Sequence, residues 1–191
     1  MRILVISSLP VSYPPKDGYS MVVIWRSYFL KKLAGIESDI VVAVDRKDYS
    51  VENLVKSDIF INVFSYKIKN KWSSLIKNFF SLYPYIMIRY DISYKELMTL
   101  KEKITPNDYD VFIFDHSASY LLYEKFVKYL NIDPNKAVYW AHNIDYVDYK
   151  NIALETNNLL KKGFYYLIYK KLRKVEIEYV KNFHKIVSVA N

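Results

Sequence analysis

Six short apolar runs, most of them separated by helical patterns, constrain this fold more than any other feature. The runs lie at 3–6, 39–44, 58–64, 109–114, 136–141 and 185–189. They are mostly continuous rather than alternating, and Ile3, Val5 and Ile6 of the first are β-branched. A strand wetted on one face alternates, whereas a strand covered on both faces reads as an unbroken apolar run. Between the first two runs, Val22, Trp25, Phe29 and Leu33 recur at helical spacing over 19–34, and Gly35 follows as a C-cap. Residues 92–104 and 117–130 are further helices, with Asp91 and Ser117 placed to cap them. A long helix over 148–182, broken near Gly163, carries Phe164, Ile168, Leu172, Val175 and Tyr179 on one stripe. Such alternation predicts an α/β fold: a doubly wound, mainly parallel Rossmann-like sheet with helices on both faces. One domain accounts for all 191 residues, and a second full domain does not fit. The basic, aromatic stretch 66–90, interrupted by Pro84, fits no element cleanly.

Composition removes several chemistries. With no Cys, disulfides, thiolate zinc sites and cysteine nucleophiles are excluded. Average usage would give roughly 13 glycines in a chain of this length. Only Gly18, Gly35 and Gly163 are present, too far apart for a G-x-G-x-x-G fingerprint or a Walker A loop. Ser117 and Ser119 lack the G-x-S-x-G setting of a hydrolase nucleophile. No segment approaches the ~18 uninterrupted apolar residues of a membrane span. The opening MRILVISSLP is a buried strand rather than a signal peptide, which predicts a cytoplasmic location.

In a doubly wound sheet, ligands bind at the carboxyl ends of the strands. Three loops qualify. The first runs through Pro14, Pro15, Lys16, Asp17 and Gly18 into a helix N-terminus, which suits a phosphate or another anion. Its plain alternative is an ordinary β–α turn. The second carries Asp115, His116 and Ser117, and the third His142, Asn143 and Asp145. A lone His is more often a structural hydrogen bonder, but His116 and His142 stand at equivalent strand ends, where either can donate to a hydroxyl or phosphate oxygen. Lacking H-x-x-x-H spacing, they are not expected to hold a metal. His184, at the end of the long helix, reads as a structural cation.

The net charge is +8. In 66–90, lysines interleave with aromatics, and Lys67, Lys69, Lys71 and Trp72 are candidates for an anionic membrane or acceptor surface. A second basic stretch, Lys161 to Lys181, fits a solvated face over an ordinary core. Nucleic acid is not expected, because no recognised nucleic-acid motif accompanies the charge.

Several short motifs, taken in order, resemble the N-terminal domain of a family 4 glycosyltransferase of GT-B architecture. They are the opening strand with Tyr13-Pro-Pro-Lys-Asp-Gly18; the first helix ending at Leu33-Ala-Gly35; PYIMIRYDISYKELMTL from Pro84; Asp108-Tyr-Asp-Val111; Tyr139-Trp-Ala-His-Asn143; and EIEYVKNFHKIVSVA from Glu176. The resemblance covers nearly the whole chain. It implies a retaining transferase that moves a sugar from a nucleotide-sugar donor to a sugar or lipid-linked acceptor. The N-terminal domain would hold the acceptor and a C-terminal domain most of the donor, with no metal or other cofactor. Carried over, His142 faces the donor sugar and its phosphate as the catalytic residue. Gly18 stands near the donor phosphates, and Asp17 occupies a position where many members have a second glycine. Asp145 replaces the Glu common after "HN", and His116 has no firm counterpart.

The family's donor-binding domain would begin after Asn191. The resemblance therefore leads us to expect an acceptor-side half, inactive alone, working with a C-terminal domain or partner chain and sitting in the cytoplasm, in places on the inner membrane face. The competing expectation is a non-catalytic membrane-peripheral or partner-binding module, including a split-transferase subunit.

Overall fold

Each of the six runs contributes to a strand of one parallel sheet, the third only through Val63 and Phe64. The computed structural model describes residues 1–45, 50–183 and 185–188. Its strands are β1 (Arg2–Ser7), β2 (Glu37–Val44), β3 (Val63–Lys67), β4 (Val111–Asp115), β5 (Ala137–Ala141) and β6 (Lys185–Ser188), in the order β3-β2-β1-β4-β5-β6. Among the described residues, eight α-helices flank the sheet: α1 (Gly18–Ala34), α2 (Ser50–Lys56), α3 (Lys71–Phe80), α4 (Tyr85–Arg89), α5 (Tyr94–Lys101), α6 (Tyr120–Lys125), α7 (Asp145–Glu155) and α8 (Leu159–Lys181). The fold is therefore α/β, doubly wound and Rossmann-like.

Successive side chains of β1 point to opposite faces, and each face has its own core. Ile3 and Val5 pack with Ile40, Val42, Val23 and Ile24 beneath α1 and α2. Leu4 and Ile6 pack with Phe112, Phe114, Tyr139 and Tyr179 on the other face, where α4, α5, α6 and α8 lie. This two-sided burial explains the continuous apolar runs.

Several elements depart from the sequence expectation. The third strand starts later, because Ile59 and Phe60 are buried in the loop before it. There Asp39 accepts from the backbone and side-chain N–H groups of Asn62 at 3.0 and 3.2 Å, fixing where pairing begins. Helix α1 is rotated. Its buried residues are Ser20, Val23, Ile24 and Ser27, whereas Trp25, Phe29 and Leu33 of the expected stripe are exposed. Gly35 does terminate it, at φ 62°, a left-handed conformation that a Cβ disfavours.

The cap before α5 is Ser93, in a capping box with Glu96. Asp91 instead accepts from Lys69 at 2.5 Å and Lys125 at 2.6 Å. Residues 117–130 are not one helix: a 3₁₀ turn (Ser117–Ser119) leads into α6, and a π-type turn (Phe126–Leu130) follows it. The long helix is two helices, parted at 156–158 rather than at Gly163, and Asn158 caps the second by accepting from the Lys161 N–H. Its expected stripe is buried at Ile168, Leu172, Val175 and Tyr179. Among the described residues, no helix is long and apolar enough to cross a membrane. His184 and Val189 lie outside the described residues.

Candidate functional site

The order of strands reverses between β1 and β4, and in open parallel sheets the crevice beyond that switch point is where ligands bind. A cleft of about 350 Å³ opens there, lined by Leu9, Gly18, Tyr19, Val22, His116, His142 and Asn143. The structure thus brings Gly18, both strand-end histidines and Asn143 to one place.

An ion pair supports the cleft-lining His142 from within the protein. Asp115, the last residue of β4, is fully buried, and Arg26 of α1 donates to both its oxygens at 2.8 and 2.7 Å. The Arg26 guanidinium also lies 4.6 Å from the Trp140 ring centroid. Burial pushes the Asp115 carboxyl up, but the Arg26 charge and hydrogen bonds, aided by His142, outweigh burial and hold it below its ordinary value.

His142 Nε2 faces Asp115 Oδ1 at 3.2 Å. A carboxylate only accepts, so Nε2 carries the proton, and Nδ1 of the neutral ring is an acceptor. In that tautomer His142 can receive a hydroxyl proton; doubly protonated, it can donate to an anionic oxygen. Tyr19 packs against both histidines, with ring centroids 4.9 Å from His142 and 6.1 Å from His116. Its hydroxyl lies 2.7 Å from Ser7 Oγ.

His116 is differently employed. Its Nδ1 accepts the Ala118 N–H at 3.1 Å, and its Nε2 faces Asp145 Oδ1 at 3.3 Å. Both ring nitrogens are used within the protein, so in this arrangement His116 lines the cleft without offering it a donor. Burial pushes its pKa down, but Asp145 more than offsets this and the net direction is up. Protonation of Nδ1 would require the Ala118 N–H to give way. His116 also has φ 72°, a left-handed backbone that costs a non-glycine residue about 1–3 kcal/mol. Backbone bonds from His116 N to Trp140 O and from Ser119 N to His116 O fix that conformation.

Asp145 is buried, bonded to His116 and to the Ser117 hydroxyl, and held below its ordinary pKa despite burial. It orients the loop and does not reach the cleft. Nearby, burial and the Asp145 charge push the Glu176 carboxyl up to about 7 while it accepts the Tyr146 N–H.

Asp17 is the N-cap of α1, accepting from the Ser20 N–H at 2.7 Å. A carboxylate therefore already sits at the helix end that an anionic ligand would use. Gly18 has open space where a Cβ would stand, so no close approach of the chain demands glycine there. Of the proposed basic surface, Lys69 is ion-paired with Asp91, Lys67 and Lys71 are exposed, and Trp72 is 73% exposed. These residues lie apart from the cleft-lining set. Among the described residues, no group of three or more His, Asp or Glu has metal-holding geometry.

Tyr19 and Arg26 are site residues that motif reading missed, and Asp115, placed in the second loop, was given no role there. One signal for the pair was present: Asp115 closes the apolar strand VFIFD, and a carboxylate in line with a two-sided buried strand requires a cation. No protein-family model matches this sequence, and no curated protein matches it significantly.

Proposed function

We propose that this protein is the acceptor-side half of a retaining glycosyltransferase that uses a nucleotide-sugar donor. The carrying observation is the cleft at the strand switch point, where Asp115, itself held by Arg26, fixes the His142 ring. Transfer of a glycosyl group needs a positioned acceptor hydroxyl and stabilisation of the charge that grows on the departing diphosphate. An imidazole with a fixed tautomer suits the sugar-facing part of that task. The motif order from Tyr13 to Ala190 supports the same reading.

The test is release of nucleoside diphosphate from UDP-, GDP- and ADP-sugars by the full-length polypeptide encoded in this reading frame. In an active enzyme, His142→Ala lowers kcat on the order of 10²–10³-fold. Unchanged kcat in that variant refutes the role of His142. Turnover by residues 1–191 alone refutes the assignment as an acceptor-side half. A second reading, a non-catalytic partner-binding module, draws on the exposed ridge of α1, where Trp25 and Phe29 stack at 5.5 Å. It predicts no turnover with any of these donors in the full-length polypeptide.

A further inference from the structure

Helix α3 is built inside out. Its inward positions are Ser74 and Asn78, both buried, while Trp72, Ile76, Phe79 and Phe80 are 61% to 90% exposed. Leu82, just beyond its end, is 77% exposed. In water such a helix would turn over, placing its apolar face on the core and its polar face outside. It is prevented from doing so. Lys171 of α8 donates to the carbonyls of Asn78 and Ser81, the latter at 2.6 Å, and so clamps the C-terminal end of α3. Asn70 caps the other end by accepting from the Trp72 N–H at 2.9 Å.

The first turn of α8 continues the patch. Phe79 meets Phe164 at 6.3 Å between ring centroids, and Leu159 and Leu160 before it are 82% and 88% exposed. The two basic stretches, 90 residues apart in sequence, are thus neighbours. The parts that meet here are free of acidic residues: there is no Asp or Glu from 66 to 90 or from 156 to 175, the first in the second stretch being Glu176. Lys71 and Lys77 flank the apolar face of α3, and Lys161 and Lys162 follow the two leucines.

We infer that the outer face of α3 and the first turn of α8 form one membrane-docking surface that inserts shallowly into an anionic bilayer. A bilayer interface is an environment in which an outward apolar helix face with flanking lysines is at its free-energy minimum, the rings and leucines entering the acyl boundary and the ammonium groups reaching lipid phosphates. Two other occupants fit worse. A second copy of this face would set lysines against lysines. A nucleic acid would use the lysines and stack on the aromatics, but it offers nothing to Ile76, Leu82, Leu159 and Leu160. This inference does not depend on glycosyl transfer; of the residues expected at a membrane surface it keeps Lys71 and Trp72, leaves out Lys67 and Lys69, and joins to them the first turn of α8.

The test is sedimentation of the 191-residue chain with vesicles of phosphatidylglycerol and phosphatidylcholine in equal parts, against phosphatidylcholine alone. Binding to the anionic vesicles, weakened by salt, is expected. Phe80→Ser and Leu160→Ser change side chains about nine-tenths exposed, so folding, checked by thermal unfolding, is preserved. Phe80→Ser should weaken binding about 10–100-fold. The pair Lys77→Glu and Lys162→Glu should weaken it at least about 25-fold, at about fivefold per removed cation. Vesicles should shift the tryptophan emission to the blue in the wild type but not in Trp72→Phe. No binding to anionic vesicles at low salt overturns the proposal. So does binding that ignores Phe80→Ser and Leu160→Ser, equal affinity for single-stranded oligothymidylate, or a dimer in ultracentrifugation that Phe80→Ser dissociates.

Discussion

Replacing Arg26 by methionine removes the cation beneath the cleft and leaves Asp115 buried with only His142 beside it. The wild-type pair is bidentate at 2.7 and 2.8 Å, and its side chains are 7% and 0% exposed. Breaking one partner of such a pair costs about 3–5 kcal/mol, mostly the desolvation of the charge left behind. At about 2–4 °C per kcal/mol for a domain of this size, Tm falls by about 6–20 °C. The pH dependence gives the sharper test. In the wild type, the folded-state pKa of Asp115 is depressed, so its contribution is present above the unfolded value and is lost as pH falls through the folded one. Without Arg26, burial raises that pKa above the unfolded value. The variant's deficit is therefore largest near neutral pH and narrows towards pH 4, where the stranded carboxyl takes up a proton. Adding Asp115→Leu to Arg26→Met should recover most of the loss, because no buried charge remains. Urea unfolding of the three proteins across this pH range measures both effects. A deficit below about 1 kcal/mol, or one that widens as pH falls, would refute the claim that Arg26 exists to satisfy Asp115.

Two further predictions concern stability. Gly35→Ala places a Cβ at φ 62° and should cost about 1–2 kcal/mol in thermal unfolding, although open space surrounds the site. Glu176 has a folded-state pKa of about 7, above its ordinary 4.5, so its contribution is full below the unfolded value and is lost as pH rises through about 7. Glu176→Gln should remove that slope, gaining up to about 3 kcal/mol relative to the wild type above pH 7, and an unaltered slope would show that the carboxyl is not held protonated.

Much of the fold was legible because its signals are local. A strand buried on both faces must be apolar at nearly every position, so β1, β2, β4 and β5 announced themselves, and the parallel sheet followed from the helices between them. Gly35 was legible because a left-handed C-cap selects glycine wherever it occurs. The sheet in turn fixed which edge carries the cleft, and so His116 and His142 were found together.

What the sequence determined by itself was therefore the alternation of strands and helices over most of the chain and which strand ends share an edge, while α3 and α4, the start of β3 and the break between α7 and α8 escaped it. What only the tertiary structure decided was which face of a helix looks inward and which charges meet. Helix α1 buries Ser20 and Ser27 and exposes Trp25 and Phe29, and α3 does the same with Ser74 and Asn78 against Phe79 and Phe80. Hydropathy records how apolar a residue is, not whether a neighbour distant in the chain stands opposite it. The Arg26–Asp115 pair spans 89 residues, and Lys171 reaches Ser81 across 90. Such contacts form only when the sheet has brought the elements together, and here they settle the faces that periodicity leaves open.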